Sequence, residues 1–393
     1  MSTPADEQSE CDLSSLLEML GQVPEPRKPR GKVYQLSFIL AVVLVAKLAG
    51  ASNFRQIRDQ VADMPQSLLA KLGAKWCHFQ RRFRCPSEHA IRYVLEKIDA
   101  AELDRIVGAW LRVTVRATAD GVLALALDGK VLKGAWTDEN GQFTLFSAMV
   151  HQEAVTVGQV QVPAGTNEIT QVQALLAQVP VLDGEEVVVT VDAAHTQSDT
   201  ADYIKGTRGF DYVMPVRGNQ PHLLAAVYAK CLPLLQQDPD HVVEEQGHGR
   251  INRWETWITN AADIDWPHIN QVACIRRNTY TTGGTWIRKE HAWLVTSGEP
   301  PKITATTIHD HTRGHWGIEN KSHYPRDVVW REDAQQIYTG SGPQGLATLR
   351  NLALGLFRLN GITKIKEANE RIARDRNRAL PLLATQRNSD HSR

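Results

Sequence analysis

The chain has 393 residues, of which 42% are hydrophobic, so it is long enough for two or three domains with ordinary cores. Its 44 Lys plus Arg equal its 44 Asp plus Glu, and this balance neither supports nor excludes a nucleic-acid partner, because affinity would depend on where the basic residues lie. Its five cysteines show no CxxC spacing, which argues against a disulfide framework or a cysteine zinc site and favours reduced thiols in a cytoplasmic protein.

The N-terminal residues 1–30 are polar, begin without a secretory signal and end in the basic stretch PEPRKPRGK, so we predict a disordered basic arm. The next apolar run, residues 36–51, is interrupted by Lys47 and is shorter than the roughly 20 residues of a membrane span. It therefore predicts a buried helix, and we expect no membrane partner.

Helical patterns continue beyond this run and predict a small helical domain over residues 31–115. Ser52 or Asn53 is placed to cap one helix, and Ser87 precedes another. The stretch RRFR, residues 81–84, lies between short helices and resembles the turn of a helix-turn-helix motif that could contact DNA. An ordinary helical domain with a solvated basic face is the alternative.

The apolar period changes from residue 121. The strand-like runs VLALALD, QFTLFSAMV and AVTVGQVQV are followed by a helix, the strand VVVTVD, a helix, the strand DYVMPVRG and another helix. This order is that of an α/β domain of the ribonuclease H type, which we predict over residues 120–382. Later strand-like runs predict a β-rich insertion at about residues 240–298, and residues 383–393 are predicted to form a loose tail.

Two carboxylates stand where predicted strands end. Asp128 ends VLALALD and Asp192 ends VVVTVD, each after a run too apolar to accept an unpaired charge in its middle. A structural cap or turn is the ordinary explanation for one such acid. Two of them on neighbouring strands, joined by an acid from a helix further along the chain, favour a site for hard cations such as Mg²⁺.

The stretch HWGIENKSHYPRDVVWREDA, residues 315–334, supplies the helical acid. If a helix continues through it, His315, Glu319 and His323 share one face, with Thr312 and Arg326 close to that face. Basic and histidine side chains around one acid suit a group that meets a phosphate backbone. A surface helix with many ion pairs is the alternative.

A second alternative for this region is a metal site built only from histidines. Its ligands would be His309, His311, His315 and His323. Neither a cysteine nor a compact ligand spacing supports zinc there.

Several stretches resemble successive motifs of bacterial insertion-sequence DDE transposases of the ISAs-one group, which includes the H-repeat-associated proteins and has an IS-four-like catalytic domain. They are ALDGKVLKGA, VTVDAAHTQ, DYVMPVRGNQP, GHGRINRWE, RGHWGIENKSHYPRDVVWREDA and LATLRNLALGLFR. The resemblance extends from about Arg30 to Leu382, and the motifs are specific in combination.

The resemblance implies a ribonuclease H-like catalytic domain with a β-rich insertion, preceded by a small helical domain. It implies that Asp128, Asp192 and Glu319 are the catalytic acids and bind two Mg²⁺ or Mn²⁺ ions. Cleavage of double-stranded DNA at the element's terminal repeats and joining to target DNA would follow, with a homodimer pairing the two ends. We expect the DNA or phosphate contacts from these side chains: His315, His323, Arg326, Lys130, Arg217 and Asn219.

Two departures from the family pattern concern the third acid. Related transposases carry a Tyr, an Arg and a Lys at helical offsets that hold Thr312, His315 and Arg326 here. Pro325 should bend or end the helix near Tyr324, so Asp327 is the fallback for the third ligand. A nuclease of the same fold without strand transfer, and a domesticated DNA-binding protein without catalysis, remain alternatives.

Overall fold

The computed structural model describes residues 12–30, 32–115, 121–136, 141–247 and 249–384. The helices are α1 (Ser14–Gly21), α2 (Leu36–Leu48), α3 (Phe54–Ala62), α4 (Gln66–Lys71), α5 (Glu88–Lys97), α6 (Ala100–Thr114), α7 (Val172–Gln178), α8 (Ser198–Asp202), α9 (Pro221–Cys231), α10 (Ala305–His315), α11 (Tyr324–Val329), α12 (Gly342–Leu359), α13 (Ile365–Arg374) and α14 (Leu380–Leu383). The strands are β1 (Trp76–Cys77), β2 (Arg82–Phe83), β3 (Val122–Trp136), β4 (Gln142–Val150), β5 (Thr156–Val162), β6 (Glu186–Thr190), β7 (Asp211–Pro215), β8 (His241–Gly247), β9 (Arg250–Asn260), β10 (Gln271–Thr281) and β11 (Trp286–Thr296).

The N-terminal helices pack around α2, which is buried along its length, as its apolar sequence predicts. Among the described residues, no helix has the length and apolar character needed to cross a bilayer. The prediction of a disordered arm is wrong for residues 14–21, which form α1. Leu16 and Leu20 of α1 are buried, and Ser15 accepts a hydrogen bond of 3.1 Å from Trp110 Nε1 on α6. This amphipathic pattern was missed because the segment is polar on average. Residues 1–11 of the predicted arm and residues 385–393 of the predicted tail lie outside the described residues.

The caps expected in the helical region are present. The side chain of Asn53 accepts from Gln56 N at the start of α3, and that of Ser87 accepts from Ala90 N at the start of α5. The arginines of residues 81–84 do not lie at a tight turn between helices, because a small hairpin of β1 and β2 separates α4 from α5. The helix-turn-helix expected at this stretch is therefore wrong.

A mixed sheet of nine strands runs through the described part of the chain in the order β5-β4-β3-β6-β7-β11-β10-β9-β8. β3 is antiparallel to β4, and β4 to β5, whereas β6 is parallel to both β3 and β7. The strand β11 is antiparallel to β7, and β10, β9 and β8 extend the same sheet. The strands predicted between residues 240 and 298 therefore continue the sheet.

Each face of the sheet is covered by different helices, because side chains on a strand alternate between its faces. Val187 and Val189 of β6 belong to the large core that includes α2, α6 and α12. Val188 faces the other side, where it shares a smaller core with Leu294 of β11 and Ile308 of α10. Asp128 lies on the α10 side, because Ala126, two residues earlier on β3, packs against Ile318 just beyond α10.

The strand that carries Asp128 does not end there, contrary to the sequence prediction. Parallel pairing of β3 with β6 stops at Ala126, but antiparallel pairing with β4 continues to Leu132. Asp128 therefore lies on a continuing strand just past the point where its parallel neighbour has ended. The end of β6 leaves an opening beside Asp128, as the end of β3 itself would have done.

The region around Glu319 is helical but irregular. After α10 ends at His315, residues 318–323 form a π-helical turn and α11 begins at Tyr324. Pro325 was predicted to bend or end the helix, but it lies in the first turn of α11. At that position its missing N–H leaves no hydrogen bond unmade. The change of helical period means that His315, Glu319 and His323 do not form one straight stripe.

Candidate active site

One cavity of about 280 Å³ is lined by the three acids that the sequence singled out. Asp128 comes from β3, Asp192 from the loop after β6, and Glu319 from the π-helical turn. The sequence separates these acids widely, and the parallel pairing of β3 with β6 brings the first two to the same edge. Thr312, His315 and Arg217 line the same cavity.

Negative charge is concentrated around Asp128. Burial and, to a lesser extent, the neighbouring carboxylates of Glu168, Glu319 and Asp192 together raise the pKa of Asp128 to about 7, against a lowering hydrogen bond from the Gly129 backbone. Of the three neighbouring acids, Glu168 has the largest effect, although the sequence gave it no role. Carboxylates are therefore clustered around Asp128, which is the charge pattern of a cation site.

Asp192 is held in place by His195 in the loop that follows. Its Oδ1 accepts from the His195 backbone N at 3.1 Å and lies 2.6 Å from His195 Nδ1. Burial by itself would raise the pKa of Asp192, but the hydrogen bonds and attraction from His195 outweigh it and lower the pKa. Asp192 therefore presents an ionised carboxylate with a fixed orientation.

The loop after Asp192 is tied to the segment after β7. Asn219 Nδ2 donates to Ala193 O at 2.8 Å, and Thr196 Oγ1 donates to Pro215 O at 2.7 Å. The amide of Asn219 thus supports the loop that carries Asp192. The nearby Arg217 is exposed and lies on the rim of the cavity, and no carboxylate within the described ranges pairs with it.

His315 reaches the cavity as a neutral side chain. Burial lowers the pKa of His315 to about 4, and Asp192 only partly opposes this effect. Its Nδ1 lies 3.1 Å from Thr190 Oγ1, which donates to Leu125 O and so can accept a hydrogen bond from His315 Nδ1–H. The remaining nitrogen, Nε2, then carries a lone pair. His315 can therefore offer the cavity an acceptor at neutral pH but not a positive charge.

His323 is also neutral and buried, and it faces Asp128. Burial, together with the charges of Arg326 and Lys130, lowers the pKa of His323 to about 3. Its Nδ1 lies 3.5 Å from Asp128 Oδ2. The expectation that this side chain meets DNA is corrected: His323 borders the first acid from inside the protein.

Lys130 is not available to DNA in this structure. Its buried ammonium lies 2.7 Å from Asp327 Oδ2 and 3.4 Å from Asp333 Oδ1. The same pairing occupies Asp327, the fallback for the third metal ligand, which does not line the cavity. Both predictions fail because β3 and α11 are far apart in the sequence, so the ion pair between them could not be foreseen.

Arg326 is 0% exposed, so the prediction of a phosphate contact is wrong. Its Nε and Nη2 donate to the two carboxylate oxygens of Glu332 at 2.8 and 2.9 Å, and its Nη1 donates to Asn351 at 3.2 Å. Arg350 donates to the same Glu332 at 2.7 Å. This cluster joins α11 to α12 in the interior, and Arg326 serves the fold there.

A second cavity of about 340 Å³ adjoins the first and is lined by arginine and tryptophan. Arg277 and Arg313 lie over the ring of Trp254, with their Cζ atoms 4.8 and 4.7 Å from the ring centroid. Arg217 and Trp316 line both cavities, and Trp316 is 46% exposed. We name this second cavity the Arg–Trp cleft. Sequence analysis missed it because its side chains come from distant strands and from α10.

The side chains are not arranged around a metal position as they stand. Among the described residues, no group of three or more His, Cys, Asp or Glu side chains could hold a metal ion. The four-histidine site is therefore not supported: His309 packs edge-on against Trp254, whereas His311 packs edge-on against His151. For the three acids, the donor chemistry suits a hard cation, but the carboxylates have to move closer together.

Comparisons with known proteins identify the same regions. The family model described as "Transposase DDE domain" matches residues 123–356, and the one described as "DDE_Tnp_1-associated" matches residues 17–111. The chain is 27% identical over 365 residues to "Putative transposase YncI" of Escherichia coli O157:H7, with 88% of each chain covered. It is 25% identical over 389 residues to "H repeat-associated putative transposase YhhI" of Escherichia coli strain K12, covering 95% of this chain and 98% of that protein.

A solved structure is also similar, titled "Cryo-EM structure of piggyBac transposase synaptic complex with hairpin DNA (SNHP)". It covers 94% of this chain and 78% of its own, with 8% identity and a TM-score of 0.41. The resemblance stated from the sequence motifs is confirmed by the family match, which spans more than half of the chain. The protein belongs to the family of transposases with a DDE domain.

Proposed function

We propose that this transposase cleaves double-stranded DNA at the ends of its own insertion sequence and joins the ends to target DNA. Membership of the family implies dependence on divalent metal ions. We propose Mg²⁺ or Mn²⁺, two ions, held by Asp128, Asp192 and Glu319. The observation that carries this proposal is that three acids from three separate elements line one cavity.

The strand order supports a ribonuclease H-like catalytic domain. The five strands β5-β4-β3-β6-β7 follow the order 3-2-1-4-5 when counted from β3, with the first three antiparallel and the last two parallel to the first. We assign the catalytic domain to residues 120–382, with the strands at 240–298 as its insertion. Residues 31–115 would be the accompanying helical domain.

The donor set fits a hard cation, although the side chains have to converge. Carboxylates that repel one another stay apart without a counter-charge, and a bound cation would remove that repulsion. When bound, divalent cations would activate the attacking oxygen and stabilise the leaving oxygen of an in-line displacement at phosphorus. The Asp192 carboxylate is already oriented by His195, and Asp128 and Glu319 approach from the other walls.

The Arg–Trp cleft supports a path for DNA toward these acids. Arg217 lies on the shared rim of both cavities, where its guanidinium can donate to phosphate oxygens next to the reacting group. Trp316 offers an exposed ring at the same rim, and a base at a DNA end could stack on it. The balanced net charge of the chain is compatible with this partner, because affinity depends on where basic side chains lie, and four arginines line this cleft.

The assay uses DNA that flanks the gene, including any terminal inverted repeats, with Mg²⁺ or Mn²⁺ and a supercoiled target. We expect end cleavage and strand transfer by the wild type, and loss of both in Asp128→Asn, Asp192→Asn and Glu319→Gln with DNA binding retained. Asp327→Asn is the comparison for the third acid. Activity in Glu319→Gln together with loss in Asp327→Asn would overturn the assignment of Glu319.

The same assay separates the alternatives. Cleavage without strand transfer would indicate a nuclease of the same fold, and binding without cleavage would indicate a DNA-binding protein that has lost catalysis. We also propose a homodimer on DNA, because two element ends must be held together. Light scattering of the complex with end DNA measures this directly, and a complex with one chain and one end would contradict it.

A further inference from the structure

We propose that Glu168 is a fourth carboxylate ligand of the same cation site, with His195 as the positioning residue that links it to Asp192. The inference rests on the proposed function, because it assumes the site formed by Asp128, Asp192 and Glu319. It adds a ligand that comes from a separate element, the 3₁₀ turn of residues 168–171 that leads into α7.

The backbone beside Asp128 leaves room for the Glu168 carboxylate. A Cβ atom at residue 129 would overlap the carboxylate oxygens of Glu168, so any residue other than glycine would displace this carboxylate from its present position. The carboxylate therefore lies against β3 one residue after the first acid, on the face opposite to the Asp128 side chain, at the point where pairing with β6 has ended. Glycine at this position serves a close approach to Glu168, since a positive φ is not required there.

His195 supplies a second, independent observation that points into the site. The ring is 1% exposed and stacks on Phe146 with centroids 4.9 Å apart and planes inclined by 8°. Its Nδ1 lies 2.6 Å from Asp192 Oδ1, while its Nε2 is buried without a hydrogen-bond partner and lies 3.9 Å from Glu168 Oε2. One ring thus spans the gap between two carboxylates, and the atom facing Glu168 lacks a partner.

Glu168 keeps enough access to reach an ion. Its side chain is 31% exposed, compared with 2% for His195, so its carboxylate opens toward solvent at the edge of the site. A small shift toward Asp128 would place an oxygen beside the other acids and bring the second oxygen nearer His195 Nε2. The carboxylate would then add a hard ligand for the cation, and its second oxygen could accept a hydrogen bond from His195 Nε2 when the ring carries both protons, since Nδ1–H donates to Asp192.

The test measures Mn²⁺ binding by the full-length protein without DNA, using calorimetry and electron paramagnetic resonance. We expect Glu168→Gln to weaken Mn²⁺ binding by about 10- to 100-fold, the usual effect of losing a group that supports a metal site. Glu168→Asp, which keeps a shorter carboxylate, should lose less. The matched control is Glu153→Gln, because Glu153 is also half-buried and burial also raises its pKa, but its charged neighbour is Arg112.

Thermal melting without metal separates a folding defect from a binding defect. Glu168→Gln should melt at or above the wild-type temperature, because the substitution removes repulsion from Asp128 and Asp192. If Glu168→Gln melts lower, Glu168→Asp decides: reduced Mn²⁺ affinity at wild-type melting temperature supports the inference, and wild-type affinity overturns it.

The outcomes distinguish this inference from the proposed function. Absence of Mn²⁺ binding by the wild type would contradict the cation site itself. Wild-type binding that is lost in Asp192→Asn but unchanged in Glu168→Gln would leave the proposed function intact and overturn the role of Glu168. Equal weakening by Glu168→Gln and Glu153→Gln would also overturn it, because the effect would then not be specific to the site.

Discussion

Replacing Glu332 by Gln tests whether the buried arginine cluster serves the fold. In the structure, Glu332 is the carboxylate partner of both Arg326 and Arg350, and all three side chains are buried. Although burial by itself would raise it, the two arginines lower the pKa of Glu332 to about 2, well below the ordinary range of a glutamic acid. A pKa lowered by this much corresponds to roughly 3 kcal/mol of folding free energy at neutral pH. Breaking a buried ion pair typically costs about 3 to 5 kcal/mol, which agrees.

The sign of the pH dependence follows from the lowered pKa. A carboxyl with a depressed pKa stabilises the folded state fully above its unfolded pKa, and this contribution is lost as pH falls through the folded pKa. The stability difference between wild type and Glu332→Gln should therefore be constant above pH 5. It should shrink as pH falls from about 4.5 toward about 2.

Thermal melting followed by circular dichroism measures this effect. For a chain of 393 residues, a loss of about 3 kcal/mol lowers the melting temperature by roughly 4 °C. The control is Glu102→Gln, because Glu102 also forms a bidentate pair, with Arg105, but at the surface, where such pairs contribute less than about 1 kcal/mol. Equal melting temperatures for wild type and Glu332→Gln would refute the reasoning. The reasoning would also be refuted if Arg326→Met reduced the salt dependence of DNA binding, because that would show the loss of a phosphate contact.

Three further predictions concern the site. Because the pKa of Asp128 is raised to about 7, this carboxyl holds a proton below pH 7 in the metal-free protein, so Mn²⁺ affinity should rise between pH 6 and pH 8 with release of a proton. Calorimetry in buffers of different ionisation enthalpy measures the proton, and a pH-independent affinity would contradict the prediction. Arg217→Ala should reduce the slope of log affinity for DNA against log salt by about 1 with an unchanged melting temperature; an unchanged slope would remove Arg217 from the interface. Gly129→Ala should weaken Mn²⁺ binding as Glu168→Gln does, because its Cβ displaces the Glu168 carboxylate, and wild-type affinity would show that the close approach is unimportant.

The order of strands and the two strand-borne acids could be predicted because both depend on local patterns. Apolar runs of the correct length predicted β3, β4, β5, β6 and β7, and the acids Asp128 and Asp192 stood out because a charge after such a run needs an explanation. The error about where β3 ends was small in its consequence. The gap beside Asp128 arises from the end of the neighbouring strand, which a single sequence pattern does not reveal.

Whether a basic side chain binds phosphate or forms an internal ion pair could not be predicted, because this depends on a partner far away in the sequence. Lys130 and Arg326 have the chemistry of phosphate ligands, yet their carboxylate partners, Asp327 and Glu332, neutralise them in the interior. Helical spacing predicted one face for the residues around Glu319, but a π-helical turn changes the period there. Glu168 gave no local signal, since a Glu at the start of a helix is an ordinary cap-region residue.

Crystals grown with Mn²⁺ and measured at an energy that gives anomalous signal from manganese test the central claim most directly. The account predicts anomalous density between the carboxylates of Asp128, Asp192 and Glu319, with oxygen ligands at about 2.0 to 2.3 Å. With two ions bound, we expect two peaks about 4 Å apart. Density beside Asp327 and Asp333, or among the histidines of α10, with none between the three acids, would contradict the account.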